Sequence, residues 1–313
     1  MQRPGPAVTA GLAGAGLAGA AIAWRALWQE PRSGRVRERE LDLGERWPAG
    51  LDGLRVALVS DIHAGAPHVD ADRVERLVAA VNAQRPDLVL LLGDYIDPEV
   101  RFGSRVAPAT VAERLAALRA PLGVVAVLGN HDWRNDGPGV RAALRAAGIP
   151  VLENDAVRAG DAWIAGVEDT RYRAPDVEHA LRDVPDGAPA ILASHDPDLF
   201  PRVPDRVALT VSGHLHGGQI GVPLIRRPFM PSRFGERYAR GHVIEGGRHL
   251  YVSAGFGTTG WPVRLLAPPE VVILRLSGAG APPRGPGARP PRDPARSRAA
   301  GRPPSRGPAP RSG

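Results

Sequence analysis

The segment LRVALVSDIH, residues 54–63, decides the fold because it joins an apolar run of strand length directly to metal-binding side chains. Residues 54–59 are mostly branched and apolar, which is typical of a strand buried on both faces. Asp61 and His63 follow at the point where this strand ends. Strands of this kind belong to α/β proteins, in which ligand-binding side chains collect beyond the carboxyl ends of the strands.

The same transition from an apolar run to polar side chains recurs along the chain, always in the same direction. The polar residues that follow the later runs are Asp94, Asn130, His131, Asp132, His195, His214 and His216. Since all the runs end in the same sense, we expect their carboxylate, amide and imidazole groups to meet at one edge of a sheet. Such ligands, with no sulfur among them, suit two divalent ions of Mn, Fe or Zn, and paired metals indicate hydrolysis of a phosphate ester.

The spacing of the candidate ligands supports this interpretation. In an extended segment residues two apart point the same way, so Asp61 and His63 are expected to share a centre, as are His214 and His216. Asp94 follows a glycine at a strand end, where its carboxylate is placed to bridge two ions. Each motif is common in isolation, and a lone histidine is usually structural, so the prediction depends on their conjunction.

The order of the predicted elements favours an α/β fold. The strand 54–59 is followed by an amphipathic helix over residues 70–82, and strands and helices then alternate up to residue 147. This alternation predicts a parallel sheet with crossover helices. Shorter strand-like runs after residue 151 predict a second sheet packed on the first, in a four-layer α/β/β/α sandwich with two mixed sheets.

These motifs resemble, in type and order, those of the calcineurin-like metallophosphoesterases, and in particular a membrane-associated bacterial phosphodiesterase branch. They are Asp61-Ile62-His63, Gly93-Asp94-Tyr95-Ile96-Asp97, Gly129-Asn130-His131-Asp132, His195 and Gly213-His214-Leu215-His216. The resemblance spans about residues 52–276. It implies the four-layer fold and an enzyme that hydrolyses phosphoric esters with two divalent metal ions.

The resemblance also implies a role for each site residue. The implied ligands are Asp61, His63, Asp94 and His216 for the first metal, and Asp94, Asn130, His195 and His214 for the second. His131 is then the general acid at the leaving group, oriented by Asp97. A turn residue ahead of Pro98 is the alternative interpretation of Asp97.

The residues around the motifs narrow the substrate class. Protein phosphatases of this superfamily carry Asp-Arg-Gly where this chain has Asp97-Pro98-Glu99, which argues against a protein substrate. Arg226 and Arg227, in a loop after the last motif, are predicted to bind an anionic and partly apolar substrate; a solvated lid is the alternative. We therefore expect a phosphodiesterase that acts on a lipid-linked or nucleotide-linked phosphodiester or pyrophosphate.

The two ends of the chain differ from the middle. We expect four segments: a hydrophobic anchor or signal segment at 1–28, a linker at 29–51, the catalytic domain at 52–277, and a disordered tail rich in Arg and Pro at 278–313. An anchor and a cleaved signal peptide both fit the first segment, so the expected association with a membrane leaves its side open.

Charge is concentrated in the tail. It carries eight Arg and one Asp, which accounts for the net charge of +7 of the whole chain, so we expect no specific nucleic-acid binding by the neutral catalytic domain. The alternative function is a non-catalytic membrane adaptor that binds acidic partners through this tail. The absence of Cys excludes disulfides and thiolate metal sites, and we expect a monomer.

Overall fold

The computed structural model describes residues 6–97, 101–222, 225–227 and 230–279. Within these ranges the strands form a five-stranded and a six-stranded sheet. The helices are α1 (Pro6–Trp24), α2 (Ala71–Ala83), α3 (Pro108–Leu115), α4 (Asn130–Ala146) and α5 (Val177–Ala180). The predicted disorder of the tail concerns residues that lie almost wholly outside the described ranges.

The first sheet contains the strand that opens the catalytic domain. In chain order its strands are β1 (Arg35–Asp42), β2 (Leu54–Val59), β3 (Leu88–Leu91), β4 (Val124–Ala126) and β11 (Glu270–Ser277), arranged β1-β11-β2-β3-β4. As predicted, β2, β3 and β4 are parallel, and their connections carry helices α2 and α3. β11 runs antiparallel to β2 and parallel to β1, so the sheet is mixed.

The second sheet is also mixed. Its strands are β5 (Asp155–Ala159), β6 (Ala162–Gly166), β7 (Ala190–Ala193), β8 (Leu209–Ser212), β9 (Gly241–Glu245) and β10 (Arg248–Val252), arranged β5-β6-β7-β8-β10-β9. The inner strands β6, β7, β8 and β10 are parallel, and the edge strands β5 and β9 pair antiparallel to their neighbours.

Three apolar layers separate four layers of structure. Helices α2, α3 and α4 pack on one face of the first sheet, and Leu77, Leu144 and Val59 belong to the buried apolar cluster between them. The two sheets pack face to face through residues such as Leu58 and Leu209. α5 and the turn at Pro197–Arg202 cover the outer face of the second sheet. The predicted α/β/β/α sandwich is therefore confirmed.

Strand β1 was not predicted, and it lies inside the interval 29–51 that was expected to be a linker. Its sequence RVRERELD alternates charges instead of apolar residues, and only Leu41 is buried in it. β1 is an edge strand, so its charged side chains remain in solvent while its backbone pairs with β11 along its whole length. Backbone pairing of this kind leaves no apolar pattern in the sequence.

The amino-terminal helix α1 covers most of the predicted anchor. Among the described residues no helix combines the length and apolarity needed to cross a bilayer, so the transmembrane helix predicted there is not borne out.

Candidate metal centre

The loops that follow the parallel strands of both sheets bring the predicted ligands together. Two clusters form, each with its ligand atoms within 4.8 Å of one another: Asp61, His63 and His216 in one, and Asp94, His195 and His214 in the other. All six side chains are buried. The clusters lie where the carboxyl ends of β2 and β3 face those of β7 and β8.

In the first cluster two imidazoles approach each other closely. The Nε2 atoms of His63 and His216 are 3.0 Å apart. Asp61 Oδ1 lies 3.4 Å from His216 Nε2 and 4.0 Å from His63 Nε2. The three groups therefore direct ligand atoms at one point. Asp61 and His63 share this cluster, as expected from their spacing, whereas His216 is separated from His214, which lies in the second cluster.

The second cluster is built around His195. Its Nε2 lies 3.2 Å from Asp94 Oδ2, 3.2 Å from Asn130 Oδ1 and 3.1 Å from His214 Nδ1. The same Asp94 oxygen lies 3.6 Å from His63 Nε2 in the first cluster. Asp94 therefore stands between the clusters, at the position expected of a bridging carboxylate.

The chemistry of these groups fits divalent metal ions. Burial, reinforced by the charge of His195, lowers the pKa of His214 to about 3. Burial and the neighbouring His63 likewise lower the pKa of His216. Both rings are then neutral, as a metal ligand must be, and a cation shared by close imidazole nitrogens and carboxylates would balance the buried charge of Asp61 and Asp94.

Hydrogen bonds behind the ligands fix their orientation. His195 Nδ1 donates to the carbonyl oxygen of Leu92 over 2.7 Å, and this hydrogen bond turns Nε2 towards Asp94 and Asn130. The backbone N–H of His214 donates to the Asp61 carboxylate over 3.0 Å. These contacts hold the tautomer and the carboxylate plane needed for ligation.

Asp132 braces the loop that carries Asp94. Its buried carboxylate accepts hydrogen bonds from the backbone N–H groups of Asp94, Tyr95 and Gly129, at 2.7, 2.8 and 2.9 Å. Burial and the charge of Asp94 raise the pKa of Asp132 to about 7, against the effect of these N–H groups. Asp132 thereby caps α4 and fixes Asp94 at the same time.

The backbone at the ligands differs from the extended geometry assumed in the sequence analysis. φ is 53° at Asp61, 46° at His63, 58° at Asp94, 71° at His214 and 51° at His216. Each of these residues is in the left-handed region, at a cost of about 1 kcal/mol or more each. Asp61 and His63 converge because the chain turns back at each of them, whereas His214 and His216 reach different clusters, so the assumption of an extended segment was wrong.

One glycine beside the centre has no room for a side chain. A Cβ on Gly213 would lie 1.7 Å from Ser60 Oγ and 2.5 Å from Asp61 Oδ2. Gly213 therefore lets the His214 loop pass directly over the Asp61 loop, which brings ligands from the two sheets together.

His131, Asp97 and Thr259 form a hydrogen-bonded group at the edge of the centre. His131 Nδ1 lies 3.0 Å from Asp97 Oδ2, and Thr259 Oγ1 donates to the same oxygen over 3.1 Å. Burial opposes protonation of His131, but the charge of Asp94 and the hydrogen bond with Asp97 outweigh it and raise the pKa of His131. Asp97 is buried against the ring, as an orienting role requires, although its catalytic role stays a prediction.

A cleft of about 270 Å³ opens onto the two clusters. Its lining residues are Asn130, His131, Arg134, Arg171, Tyr172, His214, His216, Gln219, Pro231 and Thr259. Neither Arg226 nor Arg227 is among them; Arg226 forms an ion pair with Glu236, and Arg227 is exposed. Their substrate-binding role stays a prediction, and the basic groups that face the cleft are instead Arg134 and Arg171.

Sequence reasoning missed these cleft residues for different reasons. The apolar periodicity of the sequence predicts a helix only over residues 140–147, whereas α4 begins at Asn130 and has a non-helical residue, Asp136, between its two parts. With the correct start, Arg134 lies one turn after His131 on the same helix face, and its Nη2 is 3.0 Å from His131 Nδ1. Arg171 and Tyr172 come from a loop after β6 that carried no signal in the sequence.

A buried arginine supports the first cluster and was also missed. Arg264 is fully buried and donates to the carbonyl oxygens of Ala254, Gly257 and Ala267 at 2.9 Å or less. Its Nη2 lies 3.1 Å from His216 Nδ1. Burial lowers the pKa of Arg264 to about 10, so its guanidinium remains charged and ties the loop 254–267 to the ligand.

Comparison with known proteins agrees with this geometry. A family model described as calcineurin-like phosphoesterase matches residues 54–218, more than half of the chain. The chain belongs to the calcineurin-like phosphoesterases. An uncharacterized metallophosphoesterase of Bacillus subtilis (strain 168), YkuE, is 32% identical over 236 residues, which are 73% of this chain and 81% of the relative.

Two other relatives extend the comparison. An uncharacterized metallophosphoesterase of Aquifex aeolicus (strain VF5) is 34% identical over 246 residues, which are 75% of this chain and 89% of the relative. A Danio rerio protein named transmembrane protein with metallophosphoesterase domain is 33% identical over 254 residues, 75% of this chain and 56% of that protein. This calcineurin-like phosphoesterase is therefore a hydrolase of phosphoric esters with a divalent-metal site.

Proposed function

We propose that this phosphoesterase is a two-metal phosphodiesterase, acting at a membrane on a lipid-linked or nucleotide-linked phosphodiester or pyrophosphate. The observation that carries the proposal is the pair of buried ligand clusters that share the Asp94 carboxylate. Under this proposal one ion is held by Asp61, His63, Asp94 and His216, and the other by Asp94, Asn130, His195 and His214. The donor atoms suit Mn, Fe or Zn.

The residues of the chain divide the chemistry between them. Bound divalent ions supply charge neutralisation at the phosphate and a water-derived nucleophile at neutral pH. His131 holds a proton at Nε2, on the cleft side, while Nδ1 is engaged by Asp97. As the nucleophile oxygen bonds to phosphorus, the P–O bond to the leaving group breaks, and His131 transfers that proton to the departing oxygen, so that it leaves as an alcohol.

The cleft supports an anionic substrate with an apolar part. Arg134 and Arg171 both line the cleft, where Arg134 also pairs with Asp97 and Arg171 donates to the carbonyl oxygen of Pro231. Guanidinium groups are suited to binding phosphate oxygens. Tyr172 is half-exposed at the same cleft and offers an aromatic surface. The membrane part of the proposal is supported by the Danio rerio relative, whose name describes a transmembrane protein.

The test compares a phosphodiester with a phosphomonoester. Metal-stripped protein is supplied with Mn²⁺ and assayed with bis-p-nitrophenyl phosphate and with p-nitrophenyl phosphate. We expect metal-dependent turnover that favours the diester. Preference for the monoester would rule out the diesterase assignment, and no turnover of either compound would rule out the catalytic one.

A pair of aspartate variants connects this activity to the centre. Asp94→Ala should lose both metal binding and turnover, because Asp94 contacts both clusters. Asp161→Ala is the matched control, since Asp161 is exposed and lies on the turn between β5 and β6. Equal loss of activity in both variants would show that the effect of Asp94→Ala is not specific to the centre.

A further inference from the structure

A group of large apolar side chains lies exposed beside the catalytic cleft. Its members, which we call the apolar rim, are Trp24 (60% exposed), Leu27 (51%), Trp28 (49%), Trp261 (51%) and Leu266 (49%). Single exposed apolar residues are ordinary on a protein surface, but a contiguous group of them marks a site of interaction.

Buried contacts hold the two parts of the apolar rim together. The Trp28 ring stacks on Trp24 and meets the edge of His68, whose Nε2 lies 3.3 Å from the carbonyl oxygen of Pro262. The backbone N–H of Arg264 donates to the carbonyl oxygen of Ala26 over 3.0 Å. The segment after α1 is therefore fixed against the loop that carries Trp261 and Leu266.

A buried carboxylate strengthens this junction. Glu30 is buried and accepts a hydrogen bond from the backbone N–H of Ala267 over 2.8 Å, and it also pairs with Arg25. Leu266 itself has φ of 57°, a conformation that a bulky side chain rarely adopts. The fold thus holds an apolar side chain outward at a conformational cost.

Two arginine side chains make cation–π contacts with tryptophan rings of the rim. The guanidinium carbon of Arg32 lies 3.1 Å from the ring centroid of Trp28, and that of Arg101 lies 4.5 Å from the centroid of Trp261. Both arginines are exposed. Tryptophan with adjacent arginine is typical of the headgroup region of a bilayer, where the ring is half-immersed and the guanidinium meets lipid phosphate.

The apolar rim and the catalytic cleft share one loop. Thr259 lines the cleft, and Trp261 follows it by two residues. Gln219 also lines the cleft, and its backbone carbonyl oxygen accepts a hydrogen bond from the N–H of Leu265 over 2.9 Å. Its side-chain amide donates to the carbonyl oxygen of Thr259. A surface that binds the rim therefore also lies next to the cleft.

We propose that the apolar rim docks into the headgroup region of an anionic phospholipid bilayer. Its rings enter the interface, and Arg32 and Arg101 contact lipid phosphates. Docking then places the cleft at the surface from which a lipid-linked phosphodiester would enter. The lipid-linked substrate in this inference rests on the proposed function. The docking itself rests only on the residues of the apolar rim.

The absence of Cys from the chain allows an unambiguous test. The full-length Trp261→Cys protein carries one thiol, which is labelled with a polarity-sensitive fluorophore. The matched control is Ile244→Cys, since Ile244 is 58% exposed on β9, in the edge strand of the second sheet. Vesicles of phosphatidylcholine with and without phosphatidylglycerol are then added to each labelled protein.

We expect a blue shift and quenching by a lipid-phase quencher at position 261 with anionic vesicles, and neither change at position 244. Arg32→Gln and Arg101→Gln should each weaken vesicle partitioning about fivefold. If vesicle-bound protein shows no shift at position 261, the proposal is overturned, because binding then occurs elsewhere on the protein. An equal response with neutral vesicles would also overturn it. A shift without vesicles that grows with protein concentration would identify a second copy as the occupant instead.

The proposed function is tested separately by the same proteins. The parent and Ile244→Cys should hydrolyse bis-p-nitrophenyl phosphate equally in vesicle-free buffer, because Ile244 belongs neither to the cleft nor to the rim. Turnover without docking would refute the membrane docking of the rim and support the phosphodiesterase activity. Docking without turnover would support the docking and refute the phosphodiesterase activity.

Discussion

Replacing Asp132 with Ala is expected to damage both the stability of the fold and the metal centre. The change removes the acceptor for three backbone N–H groups, those of Asp94, Tyr95 and Gly129. A buried donor left without a partner costs about 1–3 kcal/mol, so we expect the free energy of unfolding to fall by roughly 3–5 kcal/mol. Loss of the brace behind Asp94 should also weaken metal affinity by about 10–100-fold.

A second helix cap separates these two effects. Asp70 caps α2 by accepting the N–H of Arg73 over 2.8 Å, and its side chain is exposed. Asp70→Ala should cost about 1 kcal/mol and leave metal affinity unchanged. Denaturant unfolding of the metal-free proteins and titration with Mn²⁺ measure both quantities. If Asp132→Ala costs no more than Asp70→Ala and binds Mn²⁺ as tightly as the parent, the bracing role assigned to Asp132 is wrong.

Three further outcomes are expected. His131→Ala should retain metal, measured by elemental analysis, and lose about 10²–10⁴-fold in turnover, so full activity would refute its role as the acid. Burial lowers the pKa of both His242 and His249, so the unfolded chain binds more protons than the folded one, and the free energy of unfolding should fall as the pH drops below about 6.5. In His242→Gln the free energy of unfolding should change less with pH, as measured by unfolding curves between about pH 7.5 and 5.5. An unchanged pH dependence in this variant would contradict the prediction. Truncation after Ser277 should leave diester hydrolysis intact and remove only the basic tail, whereas an adaptor would lose its binding to acidic partners.

The sequence predicted the core of the fold because apolar runs of strand length are typical of strands that are buried on both faces. β2 has the predicted limits, and helix α2 is displaced by one residue. The pattern failed where burial does not decide the structure. β1 pairs through its backbone while its side chains remain solvated, and α4 begins among ligand residues that show no apolar period.

The sequence predicted which side chains the fold brings close together, but not the backbone geometry by which they meet. Asp61 and His63 do converge with His216, but through left-handed turns that no two-residue period describes. Arg264 is held by hydrogen bonds to the carbonyl oxygens of Ala254 and Gly257. In a chain rich in arginine, nothing in the sequence distinguishes this one arginine as buried. Arg171, which lines the cleft, likewise depends on a loop conformation that side-chain patterns do not encode.

The central claim is that Asp94 joins two metal ions in one buried centre. Anomalous diffraction from crystals grown with Mn²⁺ tests it most directly, combined with the number of ions bound per chain in solution. We predict two peaks on either side of the Asp94 carboxylate, with both ions lost in Asp94→Ala. A single ion, or two ions that persist in Asp94→Ala, would contradict the account.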